Sequence, residues 1–407
     1  MNKAAIRLKF DVNIQYNRLM ASLPKYIYQA PGWPEFSWES AKVAPLLAEI
    51  HFKRGLLLAS MTSLGFQAQQ DSLVQTLVQD VTQSSRIEGE NLDEQQVRSS
   101  VARRLGIDIA GLPQVSRDVE GVVEMMLDAT QNFTQPVTEE RLFAWHASLF
   151  PAGRSGMQRI EVGQWRTDEM GSMQVVGGPL GRQTVHFEAP PATQVEKEMR
   201  DFLKWLEQEP SDPVLKAAIT HLWFLTIHPF EDGNGRIARA LTDLLLARAD
   251  RRSERFYSMS AQIEQHRRSY YEVLEQAQRR TSLDITSWLV WFMERLLGAL
   301  GEAEIAFEKV RLKRCFWDRL GTTELNARQS QMLELLFEDF YGKLKTEKYA
   351  RLMKCSTATA QRDLADLVQK GALNPDLAAG GRSTNYVLNL EGCRETPDFD
   401  LYQPNKR

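Results

Sequence analysis

Chemistry-bearing residues crowd into one run, His228-Pro229-Phe230-Glu231-Asp232-Gly233-Asn234-Gly235-Arg236-Ile237-Ala238-Arg239. Upstream, Val214 to Ile227 is an apolar helical segment, and Pro229 biases His228 out of that helix. Downstream, Ile237, Leu241, Leu244 and Leu245 form an apolar stripe, so a second helix begins near Gly235. The glycines then occupy a tight loop whose backbone N–H groups face outward at a helix N-terminus, which is an anion site. Arg236 and Arg239 fall in the first turn of the second helix, where the macrodipole disfavours cations. They make sense there if they grip something strongly negative, such as a di- or triphosphate. Asp232 would repel phosphates unless a divalent cation lay between, and Mg²⁺ suits a carboxylate shared with phosphate oxygens. His228 is the only neutral-pH base in the run. Together these groups describe a phosphoryl- or nucleotidyl-transfer site.

Taken singly, each piece is ordinary. A lone histidine is more often a capped or core residue, Gly-Asn-Gly is usually a turn, and two arginines make a solvated face. Their joint order carries the inference. Gly233 to Ala238 also fits the G-x-G-x-x-A of dinucleotide-binding folds, with Glu254 about 20 residues on. No strand-helix-strand alternation surrounds it, and Glu231 and Asp232 would repel a metal-free pyrophosphate. His221 and His228 could share a helix face as zinc ligands, but no third ligand is evident.

The run resembles the Fic family signature, H-x-F-x-[D/E]-G-N-G-R-x-x-R, with every fixed position filled. Gly163-Gln164-Trp165-Arg166 and the segment after it look like the family's flap, and Tyr270-Tyr271 looks like its aromatic pair. The resemblance implies transfer of AMP from ATP to a Ser, Thr or Tyr hydroxyl on a protein, self-modification included, with release of pyrophosphate. His228 is then the base that deprotonates the hydroxyl, and Asp232 holds Mg²⁺. Gly233, Asn234 and Gly235 cradle the α- and β-phosphates, Arg236 and Arg239 take the β- and γ-phosphates, and Ile237 and Ala238 belong to the same nucleotide-binding stretch. Phe230 is a packing residue. Val175 and Val176 pair with the target's backbone by strand addition, while Tyr271 and Gln276 line the nucleotide side. A base must be neutral to act, and a helix C-terminus favours the charged imidazole, so the rate is expected to fall below about pH 6.5.

Ser84-Ser85-Arg86-Ile87-Glu88-Gly89 resembles the family's inhibitory motif, [S/T]-x-x-x-E-[G/N]. The competing reading is a capping box, Ser85-x-x-Glu88. Leu73, Leu77 and Val81 set a helical stripe before it, and Gly89 reads as a C′ glycine, so Glu88 falls at a helix C-terminus. A carboxylate there opposes the dipole and invites a cation from elsewhere. By the resemblance that cation is Arg239, and the pair denies the γ-phosphate its ligand.

The elements that must position these groups are mainly helical. A helical region carrying the inhibitory motif is expected over 1–110, and a Fic (Fido) catalytic domain with a β-hairpin flap (Met173–Val176 and Thr184–Phe187) over 111–300. A linker helix at 301–325, a winged helix-turn-helix at 326–390 and a loose tail at 391–407 complete the chain. In the winged helix, Thr346 to Met353 is followed by Ser356 capping Thr357 to Lys370, with Gly381 to Tyr386 as the wing. Between Tyr341 and Lys370 seven Lys or Arg face three Asp or Glu, a local +4. Thr357, Thr359, Gln361 and Arg362 are expected on the exposed face of the second helix, although Asp363 and Asp366 weigh against nucleic acid.

The whole chain of 407 residues has room for two to three domains. Its net charge of −3 argues against a polyanion binder held by global charge. Three cysteines, Cys315, Cys355 and Cys393, supply neither a disulfide framework nor a four-cysteine zinc site, and suit a reducing compartment. The charged start lacks a signal peptide's apolar stretch, and no apolar run reaches the roughly 18 residues of a membrane span. The expectation is a cytoplasmic, autoinhibited AMP transferase with ATP, Mg²⁺ and a protein target. It leaves open a homodimer and a DNA or protein contact through the winged helix. The alternative is a DNA-binding transcriptional regulator whose Fic domain senses nucleotide.

Overall fold

The computed structural model describes residues 24–393 except 63–64, 108–113, 170, 178–181, 183, 339 and 377–383. A 3₁₀ turn at Ile27–Gln29 is followed by helices α1 (Ser40–Thr62), α2 (Phe66–Ile87), α3 (Glu94–Arg104), α4 (Arg117–Gln131) and α5 (Glu139–Leu149). Two hairpins come next, β1 (Arg154–Ser155) with β2 (Gln158–Arg159) and β3 (Gln174–Gly177) with β4 (Thr184–Glu188). Helices α6 (Ala192–Gln208), α7 (Pro213–Ile227), α8 (Asn234–Asp250), α9 (Met259–Gln265), α10 (Arg267–Gln278) and α11 (Thr286–Leu320) follow. The C-terminal part holds α12 (Ala327–Phe337), α13 (Thr346–Leu352), α14 (Thr357–Gln369), β5 (Leu373–Asp376) and β6 (Asn385–Leu388). The chain is mainly helical with small hairpins, as the sequence indicates.

Within the described residues the chain divides into two compact units. One falls in Met1–Ala59 and Gln69–Gly301, the other in Ser60–Ala68 and Glu302–Arg407. The first is built around the antiparallel pair α7 and α8, its most extensive helix–helix contact. Asp212 starts α7 by accepting from the backbone of Val214 and Leu215, with Pro213 in the first turn. Almost every α7 side chain is then buried, which its unbroken apolar run requires. Helix α4 packs on both α5 and α8. Gly121 makes the first approach feasible, since a Cβ there would run into the carbonyl of Ser148. The N-terminal segment, which shows no period in sequence, has an aromatic role. Tyr26 and Tyr28 meet Phe187 of β4 edge-on, and Trp33 and Phe36 pack against Trp223 of α7.

In the second unit Phe316, Met332, Leu333, Tyr349, Leu364 and Leu367 form a separate core. Residues 301–325, expected as a linker helix, are mostly the second half of α11, and Leu312, Phe316 and Leu320 enter that core. Ser356 starts α14 as expected, its hydroxyl accepting from the Thr359 backbone at 3.1 Å. β5, unanticipated because Pro375 interrupts its pattern, pairs antiparallel with β6. The expected wing tip at Gly381 to Ser383 lies outside the described residues. The cysteine count also misled: Cys315 and Cys393, 78 residues apart, form a disulfide, and only Cys355 is free. The folded unit brings their Cα atoms to 5.7 Å, which spacing alone does not reveal. The reducing-compartment inference therefore loses its support. Among the described residues no helix is long and apolar enough to cross a membrane.

Candidate active site

His228 ends α7 in the left-handed conformation, φ 51° and ψ 59°, with its N–H bonded to the Phe224 carbonyl at 2.9 Å. Pro229 cannot continue a helix, so the chain turns out at this point. The half-buried imidazole has Nδ1 3.3 Å from the Leu225 carbonyl. Donation from Nδ1 leaves Nε2 as the unprotonated, basic nitrogen. Burial pushes the imidazole down to about 4, helped by Arg166 and opposed by the Leu225 carbonyl, Glu88 and Asp232. Desolvation thus outweighs the helix C-terminus, and the pH 6.5 expectation is corrected downward. Arg166, itself buried, donates from Nε to the His228 carbonyl at 2.7 Å, while its backbone N–H meets the Pro229 carbonyl at 2.9 Å. This guanidinium fixes the exit of α7.

The loop that follows is closed by Asn234. Its side chain accepts from the Phe230 N–H at 3.0 Å and donates to the Phe230 carbonyl at 2.8 Å. That side chain therefore faces inward and shapes the loop, and any cradling falls to backbone N–H groups. Phe230 is fully buried, stacked on His146 at 4.3 Å and flanked by Trp165 at 5.1 Å. Gly233 adopts φ 79°, and a Cβ there would crowd Phe150. Ile237 and Ala238 are wholly buried, and the Ile237 N–H already bonds the Gly233 carbonyl, so neither presents a group to a ligand. They hold α8 in place instead. Arg236 is in the first turn of α8, but Arg239 is in the second, one turn deeper than expected.

The end of α2 meets these arginines. Glu90 N–H bonds the Ser85 carbonyl at 3.0 Å and Gly89 N–H the Arg86 carbonyl at 2.9 Å, with Gly89 at φ 86°. That pairing is a Schellman helix end, so Ser85 caps no helix here. Arg239 donates from Nε to Ser84 Oγ (2.8 Å) and from Nη2 to the Ser84 carbonyl (3.0 Å) and Glu88 Oε1 (2.8 Å). The Glu88 carboxylate also lies against the motif loop, where a Cβ on Gly235 would collide with it. It thus covers the N-terminal end of α8 at Gly235. Beneath it, α2 docks through further polar groups. Ser258 donates to Asp80, one turn before Ser84, and Asp80 lies within electrostatic reach of Arg255, which pairs with Asp243, one turn after Arg239. Burial, and then the neighbouring Asp243 carboxylate, push the Asp80 acid up.

Three groups at this site were not anticipated. Glu90 Oε2 is 2.8 Å from Arg236 Nη1, and its only sequence signal is its position just past Gly89. Ser155, from the small hairpin β1–β2, donates to Asp232 Oδ2, while Gly233 N–H donates to Oδ1 at 2.6 Å. Arg166 stood in the expected flap but without a role. The Asp232 carboxylate and Ser155 hydroxyl are hard oxygen donors, a set that fits Mg²⁺ when phosphate oxygens complete the shell. No cluster of three or more His, Cys, Asp or Glu exists among the described residues. His221 is a satisfied core histidine between Thr242 Oγ1 and Tyr270 Oη, each at 2.9 Å.

Of the remaining expected residues, Tyr271 stands beside the α2 end, its hydroxyl 3.3 Å from the Ile87 carbonyl. Gln276 is exposed on the same helix, in a shallow depression with Glu272, Glu275, Arg279 and Arg280. Val175 and Val176 lie on β3, which pairs only with β4 among the described residues, with a register shift between the two valines. Val176 is 45% exposed on that edge.

Residues 136–246 match the model of the Fic/DOC family, residues 26–107 a domain of unknown function (DUF4172), and residues 328–374 a DeoR-like helix-turn-helix domain. Protein adenylyltransferase Fic of Culex quinquefasciatus is 26% identical over 259 residues, covering 56% of this chain and 47% of the relative. That of Nematostella vectensis is 41% identical over 92 residues, covering 22% and 20%. The chain spans about half or less of the length of these curated relatives. A crystal structure of a Fic family protein from Desulfovibrio desulfuricans G20 has the same fold, with a TM-score of 0.51 at 23% identity over 86% of this chain and 97% of that one.

Proposed function

The chain carries a Fic/DOC domain over residues 136–246, and we propose that it is a protein adenylyltransferase held in check by its own α2. The curated relatives it resembles bear that activity in their names. The observation that carries the reading is the Glu88 carboxylate seated on Arg239 and against Gly235, where a nucleotide's phosphates would go. His228 Nε2 takes the proton of a target hydroxyl, whose oxygen bonds the α-phosphorus of ATP as the bond to pyrophosphate breaks. Backbone N–H groups at the start of α8, with Arg236 and Arg239, hold the negative charge of the departing phosphates. Mg²⁺, held by Asp232, supplies further neutralisation of that charge when bound. The free edge of β3 at Val175 and Val176 positions the target segment by strand pairing. Incubation with α-labelled ATP tests the reading: label should move to protein with Glu88→Gly and far less with the native chain. No label transfer from either would refute it.

A second reading concerns the C-terminal unit, whose helix-turn-helix match favours a DNA contact. Asp363 and Asp366 do not oppose it as the sequence suggested. Asp363 is buried against Arg328, Asn326 and Tyr349, and Asp366 is paired with Lys370 and Gln329. Thr357, Gln361 and Arg362 are left as the exposed face of α14.

A further inference from the structure

Both arginines of the motif are met by carboxylates from a single turn of chain. Glu88 takes Arg239, and Glu90 takes Arg236 at 2.8 Å. We infer that Glu90 is a second internal anion that occupies Arg236 in place of a phosphate beyond the α-phosphate, and so sets how strongly the site prefers a short phosphate chain to a long one. This rests on the nucleotide-transfer reading above.

The helix end aims Glu90; a wandering side chain does not. Its own N–H is fixed on the Ser85 carbonyl at 3.0 Å, and Gly89 at φ 86° reverses the chain so that residues 88 and 90 both turn toward α8. Arg236 is equally constrained. Its side chain is 4% exposed and lies over the Phe150 ring at 5.0 Å, whereas that of Glu90 is 47% exposed. The arginine is therefore the fixed partner and the carboxylate the removable one. Arg236 Nε is a buried donor that finds no acceptor among the described residues. A carboxylate meeting one nitrogen leaves that donor idle, while a phosphate presents three oxygens to a guanidinium fork. The surroundings also favour exchange. Burial pushes the Glu90 acid up, and Asp232, Glu88 and Asp118 add to that push against Arg236. Acids crowd this turn, and Arg239 and Arg236 pair with two of them, Glu88 and Glu90. Two carboxylates on two guanidiniums stand where the outer phosphates of a nucleotide would go, so ATP and ADP must displace Glu90 from Arg236, whereas AMP has no phosphate to place there.

Equilibrium binding of ATP, ADP and AMP to the full chain in a His228→Ala background tests this without turnover. Glu90→Gln keeps the size of the side chain and the Schellman turn, and should tighten ATP and ADP roughly 5-fold, the upper end for a pair with one exposed partner. AMP affinity should not change, and the gain should vanish when Arg236→Ala is added. ATP affinity unchanged by Glu90→Gln overturns the inference. Equal tightening of ATP and AMP also overturns it, because a merely widened pocket would act on both. Absence of ATP binding in every variant, Glu88→Gly included, overturns the transfer reading and this inference with it.

Discussion

Acids meet arginines in two regions of this molecule, and the two arrangements differ in kind. At the end of α2, Glu88 and Glu90 reach across to Arg239 and Arg236, with side chains 32% and 47% exposed against arginines at 2% and 4%. In the C-terminal unit the burial is reversed. Asp363 is 9% exposed and Arg328 40%. The Asp363 carboxylate also accepts from Asn326 and Tyr349, and against the pull of burial Arg328 foremost, then these two donors, hold its acid below the usual range. A carboxylate with several donors is part of the fold, whereas one with a single guanidinium at a helix end can be exchanged for another anion. On the proposed reading, a carboxylate–arginine pair is a latch in one place and a rivet in the other.

The comparison breaks first if the latched region has no chemistry to guard. His228→Ala should abolish label transfer from α-labelled ATP, a loss of about 10²-fold at the least. ATP affinity should stay within a few-fold, because the imidazole faces the nucleophile and not the phosphates. Joint loss of binding and transfer would make His228 a structural residue.

Releasing the latch should then raise the rate. A charge-assisted pair to a buried arginine contributes about 1.5–3 kcal/mol, discounted here because Glu88 is one-third exposed. Glu88→Gly should therefore raise transfer roughly 10- to 100-fold, more if the native chain holds ATP in a wholly unproductive pose. The gain should vanish with Arg239→Ala added, and Glu88→Asp should activate only in part. A native enzyme as active as Glu88→Gly would mean that the pair inhibits nothing.

Removing the rivet should cost stability instead. Asp363→Ala strands Arg328, Asn326 and the fully buried Tyr349 hydroxyl, so the urea midpoint should fall by the equivalent of about 2 kcal/mol. Arg362→Ala, one residue away and exposed, should leave that midpoint unchanged. If the unit binds DNA, Arg362→Ala should weaken binding a few-fold and lower the salt slope by about one. Equal destabilisation by the two substitutions would erase the distinction between the regions.

How much of this was legible depended on distance along the chain. The motif loop could be read because base, carboxylate, glycines and arginines are contiguous and Pro229 fixes where the helix stops. The end of α2 could be read because Gly89 marks it. Glu90, Ser155 and Arg166 were missed because their partners lie 146, 77 and 62 residues away, and no local pattern announces such contacts. The Cys315–Cys393 bond failed for the same reason. Asn234 was misjudged differently. Its place in the motif was plain, but only the folded loop shows its amide turned onto Phe230.

The last expected effect is close to no effect, and for that reason it discriminates. Were His228 an ordinary histidine near pKa 6.5, only about 3% of it would be neutral at pH 5, and the rate would fall roughly 30-fold from its plateau. With burial holding it down to about 4, roughly 90% stays neutral at pH 5, and the loss is about 10%. The sign survives activation. Glu88 is one of the charges that pull the imidazole upward, so Glu88→Gly should lower it further and extend the plateau to more acid pH. Bound phosphates act the opposite way and favour the charged ring. Since kcat/KM reports the free enzyme, the acid limb should lie lower in its pH profile than in that of kcat. Following the His228 ring protons by NMR from neutral to acid pH measures the same quantity without substrate. A midpoint near the ordinary histidine value of about 6.5 in the free protein would show that the left-handed cap leaves the ring in water, and that neither burial nor Arg166 tunes the base.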